Sequence, residues 1–178
     1  MLFFLTKHPG GDFYIMPAMS PPLTVKDDNG KKELEAVKKI TTLLADPMKG
    51  LKSDKASVRA ETAAALVMRY RTYPEFAAEV EQVPIDKDES RIILKALTDA
   101  DWSQNIRPMP GLGAMPSPLQ AFYQLALTEQ DGFKPPMPPL AQAGQAPVDF
   151  GAVQKKAFVE WLAGPGKDYV IKKFAPKK

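Results

Sequence analysis

A chain of 178 residues, 44% hydrophobic and 25% charged, is long enough for one domain with a real core and too apolar to be wholly disordered. Its formal net charge of +3 is too small to imply nucleic acid or an acidic membrane as a partner. The absence of cysteine excludes disulfides, thiolate metal sites, iron–sulfur ligation and cysteine nucleophiles.

Residues 1–10 carry one short apolar run, Leu2 to Leu5. It is shorter than the core of an export signal and far short of the about 20 residues of a membrane span, so neither is expected and the default location is the cytoplasm. Residues 2–5 and 12–16 are aromatic-rich and bounded by Pro and Gly, which predicts a β-hairpin, with residues 17–30 as a loop behind it. Leu34, Val37, Ile40, Leu43 and Leu44 recur at helical spacing and predict a first helix over residues 31–45. Asp46 before Pro47 ends it, and residues 48–51 form one further turn.

The most definite element is residues 54–71, apolar through its middle and charged at both ends. Such a helix belongs at the centre of a packed α-helical domain, with Ser53 or Asp54 as its cap. Pro74 opens a short third segment, counted among the helices, that runs to Glu81. Asp86, Asp88 and Glu89 precede Ile92, Ile93, Ala96 and Leu97 and predict a helix over residues 87–100. Ser117, Pro118 and Gln120 supply an N-cap, a first-turn proline and a capping-box partner for a short helix over residues 118–127. Pro-rich loops occupy residues 103–118 and 135–147. Asp149 opens a last helix with Val153, Ala157, Phe158, Trp161 and Leu162 facing inward, stopped by Gly164 and Gly166. Alternation over residues 169–174 predicts a terminal strand. The fold class is mainly α (α+β): a compact bundle of about five helices with a small N-terminal β-hairpin and a candidate C-terminal strand, in one domain.

His8 is the only histidine, so a Ser-His-Asp arrangement would have to use it, and it sits in a Pro-Gly-Gly turn that reads as solvated. Asp27, Asp28, Asn29 and Gly30 partly match a calcium loop, but that alignment places Val25 and Ala36 at two ligand positions. Asp99 and Asp101, which flank a helix end beside Trp102, are together with Glu89 the candidates for a carboxylate-dependent hydrolase or lyase. Gly111 and Gly113 are too short a pattern for a phosphate loop. Arg59, Arg69 and Arg71 on the central helix either hold an anion or pack their stems and cap carbonyls. The lysine pairs 172–173 and 177–178 read as solubilising ends. The aromatics Trp102, Phe122, Tyr123, Phe133, Phe158 and Trp161 form either a ligand groove or a core.

Asp54, Val58, Arg59, Ala63 and Leu66 resemble one helix of a HEAT-type repeat, although a solenoid stacks about three units or more and only one occurs. More broadly, residues 2–5, 89–94, 100–102, 127–136 and 161–174 resemble a group of uncharacterised bacterial proteins. In that group a netrin-like or metalloprotease-inhibitor-like barrel strand precedes a helical tail. The resemblance implies an exported binding or scaffold protein. The expectation is therefore a non-catalytic protein-interaction or scaffold module, with Arg59, Arg69, Arg71, Asp101 and Trp102 as candidate partner-binding residues. No cofactor and no metal are expected, the partner is a protein, and nucleic acid is disfavoured. Carboxylate-dependent hydrolysis or elimination, and anion or nucleic-acid binding through Arg59, Arg69, Arg71 and the lysine tail, stand as alternatives.

Overall fold

Helix α3 (Ala56–Tyr70) runs through the middle of the molecule and packs on four other helices: α1 (Asp28–Ala45), α2 (Pro47–Leu51), α4 (Lys87–Asp99) and α5 (Pro118–Leu125). This is a computed structural model, and it describes residues 5–8, 10–16, 24, 26–102, 115–137 and 149–177. Small side chains make the central position workable. Ala60, Ala63, Ala64 and Ala65 are buried along α3, ahead of the larger buried Leu66 and Val67. Gly50 of α2 lies so close to the Thr62 side chain that any Cβ there would collide with it. A glycine facing a buried threonine lets the two helices approach, and the Thr62 hydroxyl donates to its own helix at Val58 (2.7 Å).

The capping signals in the sequence correspond to real helix starts. Asp86 accepts from the backbone N–H groups of Asp88 and Glu89 at the head of α4. Ser117 and Gln120 form a reciprocal box on α5, and Asp149 caps α6 (Phe150–Ala163). Helix α1 starts three residues earlier than expected, with Asp27 accepting from Gly30 at 2.7 Å. Helix α3 differs in mechanism. Neither Ser53 nor Asp54 caps it, and its N-cap residue Lys55 makes no side-chain bond. The Arg59 guanidinium instead donates to the Ser53 and Asp54 carbonyls, at 2.7 and 3.1 Å, and fixes the entry turn.

The aromatic residues of the C-terminal half form a continuous core. Trp102 packs on Phe122 and Phe158, Phe122 on Phe133, and Phe158 on Trp161, with centroids 5.1–5.6 Å apart. Both indoles have partners: Trp102 Nε1 donates to Leu97 O and Trp161 Nε1 to Asp131 O, each at 2.8 Å. Gly166 lies flat against the Trp161 ring, where a Cβ would overlap the indole. Lys155 of α6 reaches the C-terminal end of α4 and donates to Ala100 O at 2.6 Å.

One expected element changes type. Residues 74–81 are expected to form a short helix, but 74–79 are turns and irregular backbone, and the chain then enters β3 (Val80–Pro84), a strand pairing antiparallel with β4 (Lys172–Pro176). The terminal strand therefore pairs with β3 and not with the N-terminal hairpin, which forms its own sheet. Bonds from Ile85 N to Ile171 O and from Lys177 N to Glu79 O set the alternation along this ribbon. Pro84 and Pro176 then fall at positions whose backbone faces the outer edges, so they cost no ladder bond and blunt both edges. Buried Ser90 of α4 ties the ribbon to the core by accepting from Ile171 N at 3.0 Å. The expected hairpin is present as β1 (Thr6–Lys7) and β2 (Tyr14–Ile15), shorter and shifted from residues 2–5, of which 2–4 lie outside the described residues.

Candidate functional site

The central-helix arginines do not form one site. Arg59 stands at one end of α3 and Arg69 and Arg71 at the other, about 15 Å away at a rise of 1.5 Å per residue. Arg59 is engaged by carbonyls, as described above. Arg71 donates from Nε to Gln124 O (2.9 Å) and from Nη1 to Gln82 Oε1 (3.2 Å) and Lys172 O (3.1 Å). Its guanidinium thereby clamps α3, α5, β3 and β4 at one point. Arg69 is exposed.

Of the acidic candidates, Glu89 also stands apart from Asp99. Glu89 and Asp99 lie ten positions apart on α4, about 15 Å, well beyond the about 5–9.5 Å of paired glycosidase carboxylates. Asp99 pairs with Lys95 at 3.3 Å, and Asp101 is exposed at the helix end. Half-buried Glu89 accepts from the Tyr70 hydroxyl at 2.6 Å. Burial, reinforced by that bond, pushes the Tyr70 phenol up to about 12. Trp102, expected as a partner contact, is 3% exposed and belongs to the aromatic core. Among the described residues no group of three His, Asp or Glu side chains is placed to hold a metal ion.

The structure brings together a different set of residues. Between α4 and the C-terminal half of α6 runs a half-open groove of about 340 Å³. Its floor is apolar: Leu94 from α4, Val159, Leu162 and Ala163 from α6, and Tyr169 from the segment that follows. Val159 remains 41% exposed although it faces this apolar surface. Burial, with the Asp131 carboxylate nearby, pushes the Tyr169 phenol up to about 12. Half-buried and, like any tyrosine at ordinary pH, neutral, Tyr169 joins the apolar floor.

The rim is basic. Lys87, Arg91 and Lys95 succeed one another at intervals of four along α4, so they share one side of that helix, and Lys167 faces them from beyond α6. Lys87 pairs with Asp168 and Lys95 with Asp99, both at 3.3 Å and both well exposed. Among the described residues neither Arg91 nor Lys167 belongs to an ion pair. Sequence reasoning missed this site because its walls lie about 65 residues apart in the chain. The one local signal was the four-residue spacing of Lys87, Arg91 and Lys95, which also suits an ordinary solvated face.

Chemically the groove offers apolar contact and positive charge, with no nucleophile–base pair among the described residues on its walls. Comparison of the chain with protein-family models, with curated proteins and with solved structures finds no match. Among the described residues no helix is long and apolar enough to cross a membrane.

Proposed function

We propose that the protein is a non-catalytic interaction module whose working surface is the groove between α4 and α6. The observation that carries this reading is the apolar surface of Val159, Leu162 and Tyr169, laid over buried Leu94 and left partly open to solvent on an otherwise well-packed helical frame. The family resemblance seen in the sequence implies the same kind of role, a binding or scaffold protein. In this reading two of the three central-helix arginines serve the frame on which the groove is built, Arg59 at the entry of α3 and Arg71 at its end.

The test is a comparison of the wild-type chain with Val159→Asp as baits in extract of the native source. Val159 is exposed, so the aspartate leaves the core intact while placing a charge on the groove floor. A polypeptide retained by the wild type and lost with the variant supports the reading. Identical recovery by both baits, with both folded, contradicts it.

A further inference from the structure

We infer that the occupant of the α4/α6 groove is an acidic amphipathic helical segment of a partner protein. The inference rests on the interaction-module reading and adds the chemistry of the partner. Charge complementarity decides it. Lys87, Arg91 and Lys95 form a cationic line along one wall, with Lys167 opposite. Only Lys87 and Lys95 are balanced, by Asp168 and Asp99, so Arg91 and Lys167 are the positive charges left for a ligand among the described residues. They flank an apolar floor, so an occupant must present apolar side chains on one side and carboxylates beside them.

The dimensions favour a helix. The line from Lys87 to Lys95 extends over about 12 Å, two turns of an α-helix. A helix laid along it can offer an apolar residue and its neighbour about four positions on to the floor, with Glu or Asp between them facing the rim. An apolar cavity of about 150 Å³ accommodates one benzene-sized group; the groove, at about 340 Å³, has room for two such anchors. The arrangement is that of a helix-in-groove interface with apolar anchors at the centre and charged contacts at the edge. In such interfaces the charges set partner choice and association rate more than raw affinity.

The experiment uses the full chain and a fluorescein-labelled acidic amphipathic peptide with two leucines four positions apart flanked by glutamates. Its counterparts are a peptide with each glutamate replaced by lysine and a scrambled acidic peptide. Fluorescence anisotropy should show the patterned acidic peptide binding at least about 10-fold more tightly than either counterpart, with affinity falling as salt rises. The double variant Arg91→Glu/Lys167→Glu, checked by thermal melt, should reverse the preference toward the lysine peptide. If that variant melts early, Arg91→Gln/Lys167→Gln should still erase the preference. Equal binding of all three peptides overturns the inference. So does binding to vesicles of anionic phospholipid, lost in the charge variants, without binding of the acidic peptide. Either result leaves the interaction-module reading standing if Val159→Asp still loses its polypeptide from native extract. Loss of that result as well brings down both.

Discussion

The guanidinium of Arg71 lies 4.4 Å above the ring of Phe174, joining the last turn of α3 to the C-terminal strand across more than 100 residues of chain. Phe174 is stacked on its other neighbour, Tyr73, at 4.2 Å. Together with its three acceptors, this contact makes Arg71 a fastener between the helical bundle and the β3/β4 ribbon. Arg71→Ala should lower the unfolding free energy by about 2 kcal/mol, because it removes charge-assisted bonds and a cation–π contact. Arg71→Lys should recover less than half of that loss, since an ammonium cannot reproduce the planar fork. Urea denaturation of the three proteins checks both expectations. An anion-binding role would show the reverse, with weakened phosphate binding and unchanged stability.

Leu66 is 1% exposed on the central helix. Leu66→Ala should cost about 2–5 kcal/mol through lost burial and the cavity left behind. A thermal melt that does not move would remove α3 from the core.

Ser90 is the buried link between α4 and the residue preceding β4. Ser90→Ala leaves the Ile171 N–H without its acceptor and should cost about 1–3 kcal/mol. The loss should be local. Hydrogen exchange should quicken at Ile171 and along β3 and β4, while α5 and α6 keep their protection. Uniform acceleration through all helices would show that the bond does more than anchor the ribbon.

Alkaline pH should reveal the two shifted phenols. Tyr70 and Tyr169 are each raised from the ordinary 10.0 to about 12, in both cases chiefly by burial. The folded state therefore holds these protons more tightly than the unfolded chain does. Their contribution is fully present below pH 10 and is lost as the pH rises from 10 to 12. Denaturation midpoints should stay level up to pH 10 and then fall. Tyr70→Phe/Tyr169→Phe should flatten that decline, and an unchanged decline in the double variant would assign it elsewhere.

The helices that announce themselves locally were readable from their residues. Asp86, Ser117 with Gln120, and Asp149 are caps whose bonding partners lie within three positions, so sequence alone places the starts of α4, α5 and α6. Strand β3 was not readable in the same way. Val80 to Pro84 are held by residues about 90 positions onward, and nothing between Pro74 and Glu81 signals that partner. The start of α3 departs from the usual signature because no side chain caps it. Arg59, from within the helix, holds the entry turn by donating to the Ser53 and Asp54 carbonyls, so neither Ser53 nor Asp54 marks the boundary. Trp102 looked available for a partner because it follows a helix end beside an aspartate, yet its indole turns inward onto Leu97 and the aromatic core. The groove lay furthest from view. Val159 reads as an ordinary outward residue on α6, and only the packing of α4 against that helix brings it into one groove with Arg91 and Lys167.

The most direct test of the groove as the working surface is site-specific photo-crosslinking in native extract. A benzophenone side chain replaces Val159 in one protein and exposed Arg69, on α3, in another. A defined crosslinked polypeptide from position 159, absent from position 69, is the expected result. A polypeptide captured from position 69 and not from 159 would contradict the account and return the binding surface to the central helix.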